Sequence, residues 1–168
     1  RRRCRPVEET WFILPVRRVV VLAGMERAFE KCWKLTDTHG RPVHFPGVYW
    51  TEQTSGPVRL TCVPRGSCLG LVRALSSLLE GPLYILFVLC ISRRGRESGR
   101  YQSPLLSGDE IDEFLREFGE FLDRDARQCT WIGQPNKPGL VVWDSHQWVY
   151  GYGPIERMSV VATSFGLN

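Results

Sequence analysis

A chain of 168 residues, 43% hydrophobic and 24% charged, has the composition of one ordinary globular domain, which excludes collagen-like structure and long disorder. The net charge of +4 and pI of about 8.9 do not by themselves imply nucleic-acid binding: residues 1–24 hold six arginines against two glutamates, and the remainder is balanced at sixteen basic and sixteen acidic residues. The most apolar run, LYILFVLCI at 83–91, is about half the ~20 residues a membrane-spanning helix needs.

Taken in chain order, residues 1–24 read as a basic arm outside the fold, and residues 25–168 as a single α+β domain opening at Met25 with the helix-forming ERAFEKC. Pro15, Arg17 and Arg18 interrupt the arm's apolar residues, so it lacks the apolar core of a secretory signal. The stretch from Asp37 to Pro57 is dense in turn residues and reads as irregular. VRLTCV at 58–63 follows as a strand. A helix from Cys68 to Leu79 then places Leu71, Val72, Leu75, Leu78 and Leu79 on one face, and Gly81-Pro82 stops it.

Residues 83–91 read as a central strand buried on both faces. The turn SRRGRESGR leads into a short strand near Tyr101 and Gln102. Ser107 with Glu110 three residues later predicts a capping box, opening a helix whose stripe is Ile111, Phe114, Leu115, Phe118, Phe121 and Leu122. Strands are expected at 128–132, 140–143 and 148–152, then a helix from Pro154 to about Ser164. Phe165 to Asn168 reads as a turn opening a further element. Hairpins with helices between them predict an α+β two-layer sandwich, a mostly antiparallel sheet with helices packed on one face.

Function turns on WDSHQWVYGYGP at 143–154. With Asp144 to Gln147 as a four-residue loop, Trp143 would face Trp148, and Trp143, Trp148, Tyr150 and Tyr152 would share one side of the hairpin with Val141. Either Trp33, Tyr49 and Trp50 cover that side, or it forms an exposed platform, and Tyr and Trp are the residues that anchor interfaces. The platform makes the chain a non-catalytic binding module whose partner is another protein.

An alternative uses Asp144 and His146 as the acid–base pair of a small hydrolase. Ser145 between them lacks the elbow that exposes a nucleophilic serine, and the two residues are equally at home in a turn. A second alternative is phosphate or nucleic-acid binding through Arg93, Arg94, Arg96 and Arg100 with Tyr101 as a stacking surface.

Six cysteines without a C-x-x-C pair or a secretory signal suit free thiols in the cytoplasm, with Cys90 a small core hydrophobe. His39, His44 and His146 are too scattered to suggest a metal, and no nucleotide motif is present, so no cofactor is expected. In general shape alone the chain is similar to small bacterial α+β proteins, among them immunity proteins that bind and block a toxin, an analogy that carries no residue-level assignment.

Overall fold

The computed structural model describes residues 45–92 and 98–168. The basic arm at 1–24, the helix expected after Met25, His39 and His44 lie outside the described residues, as do Arg93, Arg94 and Arg96. The described chain forms β1 (Val48–Gln53), β2 (Val58–Val63), α1 (Leu69–Ser76), β3 (Tyr84–Leu89), β4 (Gly99–Gln102), α2 (Gly108–Arg124), β5 (Gln128–Gly133), β6 (Leu140–Trp143), β7 (Val149–Tyr152) and α3 (Ile155–Ser164). Every strand pairing is antiparallel, in the order β1-β2-β7-β6-β5-β3-β4. The helices pack against this sheet, so the fold is the α+β sandwich expected.

The core lies between one sheet face and the helices. Leu60, Cys62, Ile85, Ile132, Val141, Trp143 and Val149 point to that side, meeting Leu71, Val72 and Leu75 of α1, Ile111, Leu115 and Leu122 of α2, and Met158 and Ala162 of α3. α2 carries the expected capping box: Ser107 accepts from the Glu110 amide, and the Glu110 carboxylate accepts from Ser107. This bonding holds the Glu110 carboxyl below its ordinary value. α3 ends in a Schellman motif, with Leu167 N–H donating to Ala162 O (3.2 Å), Gly166 N–H donating to Thr163 O (2.9 Å) and Gly166 at φ +74°. Asn168 exchanges backbone hydrogen bonds with Gly47 and Tyr49.

Four expectations need correction. The stretch read as irregular contains β1, whose Val, Tyr, Trp and Thr are strong strand formers hidden between Pro46-Gly47 and the Ser55-Gly56-Pro57 turn. β3 is interior but lies one strand from the β4 edge, not at the centre; Ile85 is its one buried residue, and the others are half-buried. Phe121 does not pack on the sheet: it is 54% exposed, while Phe114 and Phe118 rest against the core. Cys90 is exposed, because β3 ends at Leu89 and the next two amides, Cys90 and Ile91, both donate to Arg127 O, a bulge that ends regular pairing at the sheet margin.

Candidate functional site

The β6–β7 hairpin is the key to the site, and its register differs by one residue from the expected one. Trp143 pairs with Val149, Val142 with Tyr150, and Leu140 with Tyr152. Asp144 N–H donates to Trp148 O at 3.0 Å, leaving Ser145, His146 and Gln147 as a three-residue loop. Such loops end in a left-handed residue, usually Gly; here it is Gln147, at φ 71°. Gln147 is fully buried. Its Nε2 donates to Gly66 O and Asp123 Oδ1 (both 3.2 Å), and its carbonyl accepts from Cys68 Sγ (3.2 Å). These bonds lock the loop to the segment before α1 and to the end of α2, and offset the cost of the left-handed backbone.

A slip of one residue exchanges the faces of a strand. Trp143 therefore points into the core, where it is 0% exposed, and does not join the aromatic platform. Trp148, Tyr150 and Tyr152 remain on the other face, which carries no helix among the described residues.

Residues facing one another across the sheet build that face in rows. One continuous row crosses all seven strands: Trp50, Thr61, Tyr150, Val142, Trp131, Leu86 and Gln102. Beside it, Glu52 faces Arg59, and Tyr152, Leu140, Gly133 and Tyr84 form the continuation. Trp50 meets Trp148 edge-on with centroids 5.9 Å apart, and Trp148 meets Tyr150 at 6.2 Å. Trp131 and Tyr84 were not singled out from the sequence, and Trp50 only as a cover for the aromatic side. They sit on strands distant in the chain, and only sheet order brings them beside β7.

Arg59, Glu52 and Thr61 bond to one another on this face. The Arg59 guanidinium lies 4.9 Å from the Tyr150 ring centre, a cation–π distance, and donates to Glu52 Oε1 at 3.0 Å, which also accepts from Thr61 Oγ1 at 3.0 Å. The Arg59 and Thr61 bonds hold the Glu52 carboxyl below its ordinary value. Contact with the Tyr152 hydroxyl, and then with Glu52, holds Arg59 above its own. Burial, followed by the Asp144 charge, holds the Tyr150 hydroxyl above its ordinary value. Between β7 and β5 the face sinks into a groove of about 520 Å³ lined by Tyr84, Trp131, Tyr150 and Tyr152 with Arg59 and Lys137 at its sides.

Compared with protein-family models, curated proteins and solved structures, the chain finds no match in any of the three. What the face does must therefore be read from its own chemistry.

The other sequence candidates are placed as follows. Asp144 and His146 are neighbours, with Oδ2 and Nδ1 3.3 Å apart, but the His146 side chain is 74% exposed. Asp144 Oδ1 accepts from the His146 and Trp148 amides at 2.8 and 2.9 Å, the bonding of a turn-forming aspartate. Arg100 and Tyr101 alternate on edge strand β4: Arg100 faces Val88 on the aromatic side, while Tyr101 faces Phe87 on the helix side, with ring centroids 6.3 Å apart. Those two residues do not form a common phosphate-and-base surface. Tyr49, considered as a cover, lies on the helix side with its hydroxyl 3.1 Å from Thr163 Oγ1. Among the described residues, no group of three His, Cys, Asp or Glu side chains could hold a metal, and no helix is long and apolar enough to cross a membrane.

Proposed function

We propose that this chain is a non-catalytic binding module that recognises another protein through the helix-free face of its sheet, centred on Trp148, Tyr150 and Tyr152 and extended by Trp50 and Trp131. The observation that carries the reading is the convergence of six aromatic residues, Tyr84 included, from four strands, β1, β3, β5 and β7 with its preceding residue Trp148, onto one face. Protein interfaces have this anatomy, an aromatic centre within a polar rim. Trp50 is 38% exposed, and its neighbours are half-buried rather than sealed in the core.

Protein is favoured over nucleic acid by the charges around the groove. Arg59 is bonded to Glu52, and Lys137 stands 3.8 Å from Glu80, so neither cation offers the uncompensated charge on which phosphate binding depends. Catalysis at Asp144 and His146 finds less support, since the imidazole lies in solvent and Asp144 is committed to the turn.

The test compares the full chain with a Trp148→Ala, Tyr150→Ala double variant, each immobilised in extract from the native cell. Loss of a retained partner by the variant, with the melting temperature within a few degrees of wild type, supports the proposal. Equal retention by both rejects it.

A further inference from the structure

Cys90 and Cys129 carry an observation that the binding surface does not use. Their sulfurs are 3.8 Å apart, although the residues are separated by 39 positions, Cys129 lying in β5 and Cys90 just past the end of β3. Val88 is the direct partner of Cys129, which makes Cys90 a diagonal neighbour. The bulge at Cys90 and Ile91, where both amides donate to Arg127 O, re-aims the Cys90 side chain and accounts for the close approach. The two thiols differ in access: Cys90 is exposed and Cys129 half-buried, whereas Cys62 and Cys68 are buried.

We propose that Cys90 and Cys129 are a reversible redox-modification site, closing to a disulfide on exchange with a low-molecular-weight disulfide. The Cys90 thiolate attacks one sulfur of the small disulfide, forming a mixed disulfide and expelling one small thiolate. Cys129 then loses its proton to solvent and attacks the Cys90 sulfur, expelling the second small thiolate. Two protein thiols are thereby oxidised by two electrons, and the small disulfide is reduced to two thiols. Burial holds the Cys129 thiol above its ordinary value, opposed by a hydrogen bond from the Ser145 amide. Its lower access suits the second, intramolecular step, in which the target sulfur is already beside it. Closure brings the sulfurs from contact to a bond of about 2.05 Å, a movement available at a sheet margin where regular pairing has ended.

The experiment incubates the native full chain with oxidised glutathione at pH 8, quenches with acid, alkylates the remaining thiols and maps the peptides by mass. The expected product is a Cys90–Cys129 linked peptide two hydrogens lighter than its parts, with Cys62 and Cys68 alkylated only after unfolding. Cys129→Ser should instead stop at a stable glutathione adduct on Cys90. In the wild type, any of three results overturns the proposal: a persistent adduct on Cys90 beside alkylated Cys129, linkage of either residue to another cysteine, or no modification at all.

Discussion

Replacing Trp143 with Ala distinguishes the observed hairpin register from the one its sequence suggests. In the structure the indole is 0% exposed and belongs to the core between sheet and helices, and truncating a buried Trp costs about 3–5 kcal/mol. At about 2–4 °C per kcal/mol for a chain of this size, the melting temperature should fall by roughly 6–20 °C. Tyr152→Ala is the control: its ring lines the groove of the other face, and its loss should cost about 1 kcal/mol. Urea titrations with a common slope measure both. If Trp143→Ala costs less than about 1 kcal/mol, or Tyr152→Ala costs as much as Trp143→Ala, the faces have been assigned the wrong way round.

Other consequences are equally open to measurement. Leu115→Ala, at a position 1% exposed, should cost about 2–5 kcal/mol, while Phe121→Ala on the same helix, 54% exposed, should change stability by no more than about 0.5 kcal/mol; the same denaturant titration ranks them, and reversed costs would mean that α2 is rotated. Gly153 sits at φ +127° in the turn before α3, with Gly139 Cα 3.3 Å from where a Cβ would stand, so Gly153→Ala should destabilise by about 1–3 kcal/mol, and an unchanged melting temperature would show that the turn relaxes freely. The Glu52 carboxyl is held below 4.5, its ordinary value, first by Arg59 and then by Thr61. Its stabilising effect is therefore present above pH 4.5 and lost as pH falls through the lowered folded value. The melting-temperature gap between wild type and Glu52→Gln should be widest near neutrality and close in acid; a gap independent of pH would remove the ion pair from the account.

Local signals made much of the architecture legible. The capping box at Ser107 and Glu110, the β-forming run at 58–63 and the proline before α3 each announce an element through residue types within a few positions of one another. What escaped depended on distant partners. Gln147 occupies a left-handed position that sequence would assign to Gly or Asn, and it holds that conformation through Gly66, Asp123 and Cys68, each more than twenty positions away. With it the loop shortens to three residues and the register moves by one, which turns Trp143 inward and leaves Trp148, Tyr150 and Tyr152 outward. Trp131 was invisible as a site residue, and Trp50 legible only as a cover, for a related reason: strand order, not proximity in the chain, places them in the Tyr150 row. The clustering near the C-terminus was readable, but its full extent required the sheet.

Site-specific photocrosslinking tests the central claim most directly. A benzophenone side chain placed at Trp148, or in a second variant at Tyr152, should couple on irradiation in native extract to one and the same protein. The same group at Glu117, exposed on α2 on the opposite side of the molecule, should give no such product. Coupling to that protein from Glu117 with none from 148 or 152 would place the contact surface on the helices and contradict the account.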